Sequence, residues 1–111
     1  MESKAAITAL GALAHATRLE IFRLLVRAGA EGLSVGRIAE ALGIDANGRL
    51  TFHLKELVGA GLANSRQEGR FVFYSTNYGA MNELLRYLTE DCCGGLGCDE
   101  IVAACDTESC A

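Results

Sequence analysis

The chain holds no proline, no tryptophan and only two histidines, His15 and His53, and no cysteine stands before residue 92. Each absence closes a class of explanation. A body without cysteine carries no disulfide framework, and two separated histidines are a poor basis for an imidazole metal site. No apolar run approaches the roughly 20 residues that span a membrane. The first twenty residues mix charges from Met1 to Lys4 and break their apolar stretch at Thr8 and Gly11, unlike a signal peptide. A cytoplasmic protein with no membrane association is expected. Catalysis finds no foothold: neither histidine is near a cysteine, no glycine-rich phosphate loop occurs, and no helix pairs carboxylates for acid–base work. An enzyme is not expected.

What the chain does hold is sulfur at one end. All five cysteines (Cys92, Cys93, Cys98, Cys105 and Cys110) fall in the last twenty residues, among glycine and acid. Core cysteines would be scattered along apolar faces, because cysteine packs as a small hydrophobe. A terminal cluster with an adjacent pair points instead to thiol chemistry, which in a reducing compartment means metal binding or redox sensing. Charge is divided just as unevenly. The net charge of −4 conceals a body, residues 1–89, with all ten basic side chains against eight acids. Residues 90–108 carry six acids and no lysine or arginine. A mildly basic body permits a nucleic-acid partner. With 111 residues, half of them apolar, the chain reads as one folded unit over 1–90 and an appendage over 91–111.

Without proline, helix ends must be read from glycines and capping residues. Ala6, Ile7, Leu10 and Leu13 recur at helical spacing and predict a first helix over Ala5 to Ala14. Thr17 and Glu20 match a capping box, predicting a second helix with Leu19, Phe22, Leu25 and Val26 inward and Arg18, Arg23 and Arg27 outward. Ser34 can cap a short third helix that Gly43 stops. A fourth helix is predicted from about Asn47 to Ala60, on the stripe Leu50, Leu54, Leu57 and Val58. Leu62 to Arg66 and Phe71 to Ser75 read as strands joined by a turn at 67–70, and a fifth helix spans about Tyr78 to Thr89. Four helices, a hairpin and a helix make a mainly α fold with the plan of a winged helix-turn-helix: about five helices plus a two-stranded wing.

The chain resembles the ArsR/SmtB family of metal-responsive bacterial repressors. The resemblance rests on residues 13–26 (LAHATRLEIFRLLV), 33–43 (LSVGRIAEALG), 51–62 (TFHLKELVGAGL) and the wing at 66–71 (RQEGRF), in that order, and covers about residues 10–85. It implies a homodimer on double-stranded operator DNA, paired through the first and last helices. Their stripes here are Ile7, Leu10 and Leu13, and Met81, Leu84, Leu85 and Leu88; burial within the monomer is the alternative. The family's third-helix Cys-x-Cys site has no counterpart here, and its last-helix site of histidines and carboxylates is missing too. A variant with a vicinal cysteine pair just past the last helix, followed by one more cysteine, responds to trivalent arsenic or antimony. Cys92, Cys93 and Cys98 look like that variant.

The donor chemistry agrees, since soft thiolates select thiophilic ions and the tail offers sulfur without imidazole. Spacings of four and six residues after Cys93 and Cys98 suit a zinc knuckle poorly. The expected function is a repressor released from DNA when arsenic(III) or antimony(III), as inducer, binds these thiolates, with no organic cofactor. If two sulfurs suffice, a monomethylated arsenical would serve. Two alternatives stay open: a thiol-redox-sensing repressor of the same fold, and a thiol metal carrier that binds no DNA. On the expected recognition helix, Asn47, Arg49, Thr51 and Lys55 are placed to face the major groove, Arg and Asn having the geometry to bond two base-edge atoms. Arg66 and Arg70 flank the wing tip. Phe52 is expected in the core, and His53 either packs the helix or contacts DNA.

Overall fold

The computed structural model describes residues 1–90. Five helices and three strands follow in the order α1 (Ser3–Leu13), α2 (Ala16–Ala28), β1 (Leu33–Ser34), α3 (Val35–Leu42), α4 (Gly48–Gly59), β2 (Ala63–Glu68), β3 (Phe71–Thr76) and α5 (Tyr78–Thr89). This is the winged helix-turn-helix architecture expected. The wing gains a third strand. The two residues of β1 pair antiparallel with β3, Leu33 opposite Tyr74, so β3 lies between β1 and β2. Gly32 makes that approach feasible: its φ is +74°, and a Cβ there would strike the Tyr74 carbonyl oxygen. Along β3 the inward side chains are Tyr74 and Thr76, while Phe71 stands in solvent.

The core collects Ile21 and Leu25 of α2, Ile38 of α3, Leu50, Leu54 and Leu57 of α4, and Leu62 before β2, all fully buried. Burying each such side chain contributes about 1.5–3 kcal/mol relative to exposure. On α2 the stripe is Ile21, Phe22 and Leu25, and Leu19, expected inward, is exposed. The α2 cap differs too. His15 is the N-cap, its Nδ1 accepting the Thr17 amide at 3.2 Å, so Thr17 and Glu20 sit inside the helix rather than forming a capping box. Ser34 caps α3 as expected, and Gly43 closes it at φ 68° in the left-handed region.

The start of α5 is tied to the end of α4 and to α2. Asn77 caps α5, accepting from the Ala80 amide, while its own amide nitrogen donates to the Gly61 carbonyl just past α4. The Tyr78 hydroxyl reaches back 2.8 Å to the Val26 carbonyl of α2. None of the described helices is long and apolar enough to cross a membrane.

Candidate nucleic-acid interface

The turn between α3 and α4 decides which residues face outward. Asn47, extended at φ −125°, is the N-cap, and its Oδ1 accepts both the Arg49 and Leu50 amides at 3.0 and 3.2 Å. Helix α4 consequently starts at Gly48. Its buried residues, Leu50, His53, Leu54 and Leu57, fix its inner face. At 100° per residue the opposite line runs through Gly48, Phe52, Lys55 and Gly59, with Arg49 and Glu56 on one flank and half-buried Thr51 and Val58 on the other.

Against that frame the anticipated DNA contacts separate. Arg49 and Lys55 are exposed and free of ion pairs among the described residues. Thr51 lies on the shoulder of the helix. Asn47 holds the cap with its oxygen, leaving its amide NH2 as the group available outward. Arg70 is exposed at the turn between β2 and β3 and is likewise unpaired among the described residues. Arg66 is held down: Nε lies 3.0 Å from Glu68 Oε1, a terminal nitrogen donates 3.1 Å to the Glu31 carbonyl, and the guanidinium covers the Phe73 ring at 5.2 Å. It fastens the wing to the loop ahead of β1, so the free cation of the wing tip is Arg70.

Phe52 departs from expectation, while His53 takes the packing role, one of the two expected of it. Phe52, expected in the core, is 53% exposed at the middle of the outward line. His53 packs inward and anchors a network that crosses elements. Arg18 of α2 donates from Nε to His53 Nδ1 at 3.1 Å, and its guanidinium lies over the Phe52 ring at 5.8 Å. The His15 and His53 rings are 4.7 Å apart at 45°. Burial holds the His53 pKa below its ordinary value, and its electrostatic interactions with His15, Arg18 and Arg49 push the same way against an opposing Glu56. The accepting Nδ1 requires a neutral ring with its proton on Nε2. His53's place on the stripe of Leu50, Leu54 and Leu57 made its burial legible. Arg18 lies 35 residues away in sequence, and no local pattern linked the two.

The dimer stripes also resolve. On α1 the buried residues are Ala6, Ala9 and Ala12, whereas Ile7 and Leu10 are 67% and 41% exposed. On α5, which packs against α1, Leu84 is buried and Leu85 and Leu88 are exposed. Cys92, Cys93 and Cys98, with Cys105 and Cys110, lie outside the described residues. Among the described residues no group of three histidines, cysteines or carboxylates is placed to hold a metal ion.

Comparison with known proteins agrees with this geometry. A family described as a helix-turn-helix domain matches residues 13–66, from the end of α1 into β2. HlyU from Vibrio cholerae N16961 is 35% identical, with a TM-score of 0.61 over 79% of this chain and 97% of its own. An ArsR-like transcriptional regulator from Rhodococcus sp. RHA1 is 27% identical, with a TM-score of 0.68 over 91% and 89%. A crystal structure of a "Possible transcriptional regulator for arsenical resistance" is 28% identical, with a TM-score of 0.61 over 86% and 93%. No curated protein matches the chain.

Proposed function

This chain belongs to the HlyU/ArsR family of helix-turn-helix transcriptional regulators, and from that premise we propose that it is a homodimeric repressor of arsenical-resistance genes. It holds double-stranded operator DNA, and trivalent arsenic or antimony at Cys92, Cys93 and Cys98 releases it. The observation that carries the DNA half is the division of α4: a buried inner face, and an outward side bearing exposed Arg49 and Lys55, with Arg70 exposed on the wing. A helix so presented fits the major groove, and the cations neutralise phosphate. The exposed Ile7, Leu10, Leu85 and Leu88 favour a two-fold partner, which would bury them and supply the second recognition helix.

The inducer half rests on the donor set and on position. Three thiols without imidazole suit a thiophilic trivalent ion, which three sulfur bonds would satisfy. Cys92 follows the end of α5 at Thr89 by three residues, and α5 bears half of the apolar stripe. Tension on the tail therefore acts on the helix that sets the spacing of the two recognition helices. An allosteric coupling of about 1–3 kcal/mol lowers operator affinity roughly 5- to 150-fold. The similarity to a "Possible transcriptional regulator for arsenical resistance" supports this reading. Fluorescence anisotropy on a duplex selected by the protein from a random pool tests it, with and without arsenite, in wild type and Cys92→Ser. Release of the wild type alone is expected. Equal release of both, or of neither, rules the inducer site out.

A further inference from the structure

The outward line of α4 carries a residue that neither charge nor core packing explains. Phe52 stands at its centre with half its surface in solvent. It is not left over from a crowded core, since Leu50, Leu54 and Leu57 already fill the inner face and are at most 1% exposed. Nor does it hang loose: the Arg18 guanidinium lies over its ring at 5.8 Å, and the His53 ring sits 5.8 Å away. Arg18 is itself fixed by its hydrogen bond to buried His53. A planar apolar knob is thus held in a set pose on a helix otherwise flanked by Arg49, Lys55 and Glu56.

One turn earlier on the same line is Gly48, and a Cβ there would meet nothing within 4 Å. Glycine is not needed inside the molecule at that position, although it costs a helix about 0.5–1 kcal/mol relative to alanine. Bare backbone beside an exposed aromatic is what close approach by an outside surface requires. Arg49 on one flank and Lys55 on the same line favour an anionic surface.

Resting on the DNA-binding reading above, we propose that Phe52 is a specificity-determining residue that packs against the C5-methyl group of a thymine in each operator half-site. The chemistry leaves little else for it to read. A phenyl ring neither donates nor accepts a hydrogen bond to a base edge, and the thymine methyl is the apolar feature of the major-groove edge. Stacking on a base would require an unpaired strand, whereas a helix lying in the groove of an intact duplex meets base edges. Arg18 is a positioning residue in this scheme, because it fixes the ring before DNA arrives.

The experiment uses the full-length protein and a duplex it selects from a random pool. Each thymine is replaced in turn by deoxyuridine, which removes only the methyl, and affinity is read by anisotropy. At one thymine per half-site the wild type should bind about fourfold more weakly, the worth of one buried methyl-sized group. Phe52→Ala should bind thymine and uracil duplexes equally at that position, and Phe52→Leu should keep part of the preference. Arg18→Gln should weaken the preference while leaving the apolar ring in place. Circular dichroism and sedimentation confirm fold and assembly of each variant. A wild type indifferent to uracil everywhere, or a Phe52→Ala that still prefers thymine, overturns the assignment while leaving DNA binding intact. A Phe52→Ala that falls apart into monomers places the ring in a protein interface and also overturns it. Failure of the wild type to select any duplex defeats the repressor reading itself.

Discussion

Helices α1 and α4 are nearly equal in length, 11 and 12 residues, and they use their apolar side chains in opposite ways. Helix α4 turns its leucines inward and its charges outward, the arrangement expected of an amphipathic surface helix. Helix α1 buries Ala6, Ala9 and Ala12, three residues apart, and presents Ile7 and Leu10 to solvent. Alanine lets the α1 backbone come close to α2 and α4, but a methyl contributes little area. Among the described residues Ile7 and Leu10 face away from the core, where a second molecule would supply burial at about 25 cal/mol per Å2. One helix is complete within the monomer on its apolar side and open on its polar side. The other is left open on its apolar side among the described residues.

The sharpest way to break this contrast is to disrupt the apolar face of each helix in turn. Leu54→Ala removes a side chain with no exposure and should cost 2–5 kcal/mol of unfolding free energy at any protein concentration. Ile7→Glu with Leu10→Glu should leave helicity intact and move the sedimenting species from dimer to monomer, with operator binding lost alongside. If the α1 pair instead unfolds the chain under conditions where wild type is already monomeric, α1 belongs to the monomer core and the contrast fails.

That ambiguity shows where the sequence stopped being readable. Ala6, Ala9 and Ala12 and Ile7, Leu10 and Leu13 repeat with the same spacing, one residue out of phase, and either set satisfies a helical period. Which set turns inward depends on the room between helices, a tertiary property. The extent and inner face of helix α4 were legible, because Leu50, Leu54 and Leu57 leave one choice of face, whereas Asn47, read as a base contact, proves to be its cap. The same stripe places Phe52 about 200° from Leu50 and hence outward; its composition argued for the core, and the period was the better guide. The two-residue β1 is too short to show alternation. The His15 cap was hidden behind a better-known pattern at Thr17 and Glu20. Arg66 was read as a free wing cation because its partners, Glu31 and Phe73, are distant in sequence or on the neighbouring strand. The cysteine site remains a reading of composition and resemblance, since it lies outside the described residues.

A smaller effect separates the two helices at their starts. Asn47 caps α4 with two accepted amides, whereas Glu2 ahead of α1 makes no side-chain cap. Asn47→Ala should therefore cost about 1 kcal/mol, within 0.5–2. For a domain of this size that corresponds to a fall of roughly 4–8 °C in Tm. Asn47→Asp retains a capping oxygen and should recover most of the loss, and Glu2→Ala should change the thermal midpoint little. Equal effects at the two positions would mean that the α4 start is held by packing, with the cap contributing nothing.

The finest distinction is electrostatic. Helix α1 contains no histidine or carboxylate, so nothing on it titrates near neutrality. Helix α4 carries His53, whose pKa lies below the ordinary 6.5, first because burial disfavours the charged ring and then because of His15, Arg18 and Arg49, with Glu56 opposing. In the unfolded chain the imidazole takes its proton near pH 6.5, while in the folded chain it resists until lower pH. Between those two values the unfolded state binds more protons, so stability falls as pH falls. The contribution is fully present above about pH 7 and is lost as pH drops through the folded-state value, when the protonated ring faces the Arg18 guanidinium without an acceptor for Nε. Denaturant midpoints should be level from pH 8 to 7 and decline toward pH 5, and His53→Gln, whose carbonyl can still accept from Arg18, should flatten part of that decline. A wild-type midpoint that rises on acidification, or a slope unchanged by His53→Gln, would show that the recognition helix is held to α2 by contacts other than this histidine.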